Sequence, residues 1–219
     1  TESLELLQGP GGNVVVLHGA DGLVLVDNFI RGAWPALETT LKAIGGSIKY
    51  GVDTHWHFDH ADNNASVHQA GGTLVAHANT KKRLSEPHDI LGMHFDPEPA
   101  AALPATTFTD SHHLKANGED MVLQAVAPAH TDTDITARYT KANVLHMGDL
   151  FFNGVYPFID LSTGGNIGGM IAASERALGA VDANTKIVPG HGPLGDKAAL
   201  QRYHDVLAKV RDNVGKLKA

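Results

Sequence analysis

Hydrophobic positions in this chain follow two rhythms, one close to two residues and one close to three and a half. The β-branched runs 13–18 and 23–27, joined across Gly19-Ala20-Asp21-Gly22, predict two strands of a hairpin. From Trp34-Pro35 the period lengthens. Leu37, Leu41 and Ile44 share one helical face, and Gly45-Gly46 ends the helix. A strand over 48–53 then runs into Thr54-His55-Trp56-His57-Phe58-Asp59-His60, after which a helix starts among residues 61–64, where Asp62, Asn63 and Asn64 are good caps. The pattern further predicts a strand over 73–76, a short helix near 80–84 and an irregular, proline-bearing stretch over 87–104 that borders a pocket. Strands are expected over 121–127, 135–139 and 143–146. A glycine-rich stretch, 162–169, precedes a helix near 170–180, and 186–188 is the last strand. Residues 197–217 form a closing helix with Leu200, Tyr203, Leu207 and Val210 spaced for one buried face. Strands and helices alternate without an internal repeat, so residues 1–219 read as a single α/β domain with two sheets and helices outside them.

Composition narrows the chemistry. A net charge of -7 disfavours a phosphate-backbone binder, and no apolar run is long enough for a membrane helix. No nucleic-acid or membrane partner is expected. The absence of cysteine removes disulfides, thiolate metal ligands and thiol nucleophiles together, so any metal must rest on His, Asp and Glu. Fourteen histidines is a surplus for this length. The chain starts at Thr1 without a signal-peptide pattern, which fits a mature exported protein and a trimmed chain alike, and the absence of cysteine is compatible with either compartment; a periplasmic or secreted location is favoured slightly over a cytoplasmic one.

The histidines concentrate in one place. His55 and His57 lie two residues apart, so on an extended segment both point to one side and can grip one ion. Asp59 and His60 follow on a turn that can aim them at a second. Four ligand-type side chains within six residues require distant partners to complete a site.

This run resembles the His-x-His-x-Asp-His signature of the metallo-β-lactamase superfamily, and the family's other landmarks occur in its order. Ala129-His130-Thr131 is similar to the Gly-His-Thr turn, with alanine where glycine is usual. His146-Met147-Gly148-Asp149-Leu150 resembles the turn carrying the bridging aspartate, and Pro189-Gly190-His191-Gly192 the final Gly-His-Gly loop. The resemblance implies a four-layer αββα sandwich. It also implies two zinc ions, with manganese or iron as substitutes: one on His55, His57 and His130, the other on Asp59, His60 and His191, with Asp149 bridging. A water between the ions would be a hydroxide nucleophile near neutral pH, with Asp59 orienting it and relaying its proton. The expected activity is hydrolysis of a small molecule through a cyclic or activated acyl bond, in a lactone, ester or β-lactam.

Departures from the family's subgroups sharpen this expectation. Phe152 stands where one group of zinc β-lactamases has a carboxylate-anchoring lysine, and residues 142–175 contain no Lys or Arg. The stretch after His191 has room for one helix, which disfavours a glutathione thioesterase with its extra helical domain. A persulfide dioxygenase using one iron is the alternative from another class. His57 argues against a flavodiiron protein, which has glutamate there. Thr131 and Asp134 are candidates to orient the His130 ring. Trp56, Phe58, Phe151, Phe152, Tyr156 and Phe158 are candidate pocket walls. The remaining nine histidines read as surface or structural residues, with His94 the one candidate for the pocket.

Overall fold

The computed structural model describes residues 3–218. One sheet has the order β1 (Leu4–Leu7), β2 (Val14–Leu17), β3 (Leu23–Val26), β4 (Ile48–Val52), β5 (Thr73–His77) and β8 (Thr106–Phe108). The other runs β13 (Lys186–Val188), β12 (Val144–His146), β11 (Ile135–Tyr139), β10 (Glu119–Ala125) and β9 (Ser111–Ala116). Two-residue alternation explains the layering. Val15, Leu17, Val24 and Val26 face inward onto Met121, Leu123, Ile135 and Tyr139 of the second sheet. Val14, Val16, Leu23 and Leu25 face outward and are covered by Leu37 and Leu41 of α1 (Trp34–Ile44) and by Val67 of α3 (Asn64–Gln69). On the far side, Leu145 and Ile187 pack under α5 (Ile167–Ala180) and α6 (Lys197–Lys218), including Met170, Leu200 and Leu207. The result is the expected αββα sandwich, and strands apolar on both sides are what burial on both faces demands.

The short helix expected near 80–84 is α4 (Ala78–Leu84), and the structure adds elements that the pattern did not predict. The stretch 87–104 is not wholly irregular: β6 (His88–Ile90) and β7 (Met93–Phe95) form a small hairpin, followed by a single 3-10 turn, Ala100–Ala102. Strands β1, β8 and β9 are further additions. β9 carries mostly polar outward residues at a sheet edge, so it lacks an apolar rhythm. The helix expected to start within 61–64 is split into α2 (Phe58–Ala61) and α3. Val210 is 43% exposed, so the buried face of α6 stops at Leu207.

Candidate metal centre

Four strand ends meet at one edge of the sandwich. β4 ends at Val52, and His55 and His57 follow on a short bent segment before α2 turns Asp59 and His60 toward them. His57 O receives the His60 and Ala61 N–H groups at 3.0 and 3.1 Å, which fixes that turn. His130 lies between β10 and β11, Asp149 on the turn Gly148–Leu150 after β12, and His191 after β13. Gly190 N donates to Gly148 O at 2.7 Å, locking the loops of Asp149 and His191 together.

All seven residues singled out from the sequence converge into two donor groups: His55, His57, His130 and Asp149, and Asp59, His60 and His191. Asp149 faces both. Its Oδ2 lies 3.5 Å from His130 Nε2 and 3.9 Å from His55 Nε2, while its Oδ1 lies 3.1 Å from His60 Nε2 and 3.5 Å from His191 Nε2. Asp59 Oδ2 is 3.1 Å from His191 Nε2.

The outward nitrogen of four of these rings is held by an oxygen. His60 Nδ1 donates to Asp27 Oδ2 at 2.7 Å, His57 Nε2 to Asp160 Oδ2 at 3.2 Å and His130 Nδ1 to Phe158 O at 2.8 Å. His55 Nδ1 lies 3.1 Å from Thr54 Oγ1, whose hydroxyl donates to Asp27 Oδ2 at 2.9 Å. Such bonds fix the tautomer of a neutral ring and turn its other nitrogen inward as an acceptor. His57 Nδ1 and His130 Nε2 then face each other at 3.0 Å, lone pair against lone pair, and among the described residues buried His55 Nε2 has no hydrogen-bond partner. A cation among them resolves both conditions, so the donor set fits a metal.

Two expectations need correction. Thr131 and Asp134 do not hold the His130 ring. Asp134 Oδ2 instead accepts the backbone N–H groups of His130 and Thr131 at 2.8 and 3.0 Å, clamping the turn, and the ring bonds to Phe158 O. His94 is exposed and pairs with Asp89 at 2.8 Å, away from the centre. Among the nine other histidines, His88 is half-buried and packs on Trp56 with ring centroids 4.4 Å apart. His146 is structural, accepting from Gly148 N at 3.1 Å and donating to Asn13 O at 3.3 Å. Asp27 and Asp160 were not predicted from the sequence. Asp27 sits at a strand end with φ of 64°, a conformation that aspartate tolerates better than most residues.

Electrostatically the two groups differ. Burial, helped by neighbouring imidazoles, lowers His55 well below its ordinary pKa and brings His130 to about 4 despite the opposing Asp149 charge. Burial also opposes charge on His60 and His191, but the Asp149 and Asp59 carboxylates outweigh it, raising His60 well above its ordinary value and His191 to about 9. Burial works against ionisation of Asp149 too, yet His60 and the other imidazoles hold it well below the usual carboxylate range. His55 and His130 are ready as neutral ligands, whereas His60 and His191 carry protons that an ion displaces.

Of the six candidate wall aromatics, Phe152 and Phe158 face the centre. Phe152 stacks on His191 with ring centroids 5.5 Å apart, and Phe158 lies 5.9 Å from His57 and 6.0 Å from His130. Trp56 touches His57 at 4.9 Å and, with Phe58 and Phe95, forms an apolar pocket beside β6–β7. Phe151 points into the core against Tyr203, and Tyr156 is exposed. Phe152 also lines a cavity of about 560 Å³ to which Arg202 of α6 contributes, a cation that sequence distance concealed.

Similar architectures recur among solved structures. A metallo-beta-lactamase from Pontibacter korlensis superposes with TM-score 0.76 at 19% identity, covering 94% of this chain and 93% of that one. The B3 metallo-beta-lactamase BLEG-1 gives 0.78 at 22%, covering 93% and 99%. ETHE1 from Myxococcus xanthus gives 0.67 at 14%, covering 92% and 82%. At these identities the likeness concerns the fold. No curated protein matches the chain. The sequence profile of the metallo-beta-lactamase superfamily, however, matches residues 7–212, and with nearly the whole length accounted for, the chain belongs to that superfamily.

Proposed function

We propose that this protein is a dinuclear zinc hydrolase that cleaves cyclic or activated acyl bonds, lactones and simple esters above β-lactams. The observation that carries the proposal is Asp149, whose two oxygens each face a separate donor group. His55, His57 and His130 would hold one ion, Asp59, His60 and His191 the other, with Asp149 shared. Bound there, divalent ions supply Lewis acidity and lower the pKa of a coordinated water to about 7. The chain's own contribution is orientation and proton transfer. Asp59 is the most exposed carboxylate of the set, so it can hold an incoming water and accept its proton. Phe152 and Phe158 exclude bulk water from the side where the acyl group rests.

Substrate preference follows from charge. No lysine follows Asp149 at the position of Phe152, so a carboxylate next to the scissile bond meets an apolar wall and forgoes a charge-assisted hydrogen bond worth about 1.5–3 kcal/mol. Arg202 lines the cavity beyond Phe152. The test is a panel on the zinc-loaded enzyme: lactones of several chain lengths, a chromogenic β-lactam, a thioester and a phosphodiester, with oxygen uptake recorded in parallel. Lactone or ester turnover exceeding β-lactam turnover, without oxygen uptake, is expected. Efficient β-lactam turnover with little lactone activity overturns the ranking, and oxygen consumption overturns hydrolysis.

A further inference from the structure

Away from the metal centre, a groove of about 310 Å³ runs between the outer face of the second sheet and α5. It exists because α5 and α6 cover β12 and β13, while β10 and β11 turn Val122 and Thr136 outward beside the edge of α5. On the helix side, Ala173, Ala177 and Ala180 share one face and leave a trough floored by buried Leu145 and Leu150. Its volume is that of a small-molecule site.

Two arginines stand along this trough, Arg138 from β11 and Arg176 from α5. Arginine ion pairs among the described residues are made by Arg31, Arg83 and Arg211, and by neither of these two. Arg138 Nη2 donates to the neutral Asn143 Oδ1 at 2.8 Å, and its Nη1 is buried without a partner. Asp182 accepts from the Asn143 amide at 3.1 and 3.2 Å and forms no ion pair with the guanidinium. In a chain of net charge -7, two unpaired guanidinium groups beside an apolar trough match an anion with an apolar tail.

We propose that this groove binds a medium-chain carboxylate, its head against Arg138 and Arg176 and its alkyl tail along Val122, Leu145, Leu150 and Ala177. The site is separate from the metal centre and does not depend on which acyl bond the enzyme cleaves.

Calorimetric titration of the zinc-loaded protein with decanoate tests this, with decanol and inorganic phosphate as tail-only and head-only probes. Saturable decanoate binding is expected, weakened about 10-fold by Arg138→Gln or Arg176→Gln, abolished by the groove-filling Ala177→Trp and retained by metal-free protein. Both probes should bind far more weakly. Circular dichroism and unchanged hydrolysis report that the variants fold, and if Ala177→Trp does not, the two arginine variants carry the test. Several outcomes overturn the proposal: no binding, binding indifferent to all three variants, decanol binding as well as decanoate, or binding lost with the zinc, which places the carboxylate on the metals. Concentration-dependent dimerisation that decanoate does not affect would assign the groove to a second copy instead.

Discussion

An imidazole has two nitrogens, and a ligand histidine is only as well placed as the acceptor on its other side. Asp27 serves two rings at once: it accepts from His60 directly and from His55 through the Thr54 hydroxyl, while its Oδ1 takes the Thr54 N–H at 2.8 Å. Asp27→Ala is therefore expected to weaken zinc binding about 10- to 100-fold, measured by competition with a chelator. Unchanged affinity would mean that packing alone orients the rings. The protonation pattern gives a second prediction. His191 has a folded pKa of about 9 against an ordinary 6.5, so in metal-free protein its contribution to stability is full below 6.5 and is lost as pH rises through about 9. Below that value an ion must displace the proton. His130, at about 4, is already neutral. Of two zinc equivalents, the weaker should lose affinity and release more protons as pH falls from about 9 to about 6, while the tighter changes less. Calorimetry in buffers of different ionisation enthalpy checks this, and equal pH dependence of both equivalents would contradict it.

Among the elements, the loops after β12 and β13 approach so closely that one backbone fits only as glycine. A Cβ on Gly190 would overlap Asp149 Oδ1 and crowd the Gly148 backbone. Gly190→Ala should displace the shared carboxylate and lower hydrolysis about 10- to 100-fold, with zinc content per chain falling in metal analysis. Full zinc content in a folded variant would show that the loops can part. The same scale shows why the ligands were legible in the sequence and much around them was not. His55 to His60 form a dense run at a strand end, and His130, Asp149 and His191 each sit in a recognisable turn. Asp27 is a single aspartate at a strand end and Asp160 one that caps a 3-10 turn, both indistinguishable in sequence from ordinary loop aspartates, and the Phe158 carbonyl has no side-chain signal. β9 has only Leu114 and Ala116 buried. Its one sequence mark was the Asn117-Gly118 pair, both in the left-handed region, a two-residue hairpin turn.

In the whole molecule, the core between the sheets and the rim where the ligands gather are separate structures. Leu123 is fully buried between the sheets, and Leu123→Ala should cost about 2–5 kcal/mol of stability in denaturant unfolding while leaving zinc content intact. His57→Ala should do the reverse, abolishing hydrolysis with circular dichroism preserved, and a global collapse of that variant would deny the separation. The central claim is that two ions sharing Asp149 form one catalytic unit. The most direct measurement is a zinc titration of metal-free protein followed by lactone or ester hydrolysis. Activity should continue to rise until two equivalents are bound and be lost in Asp149→Ala. Activity complete at one equivalent, or indifferent to Asp149, would contradict the account.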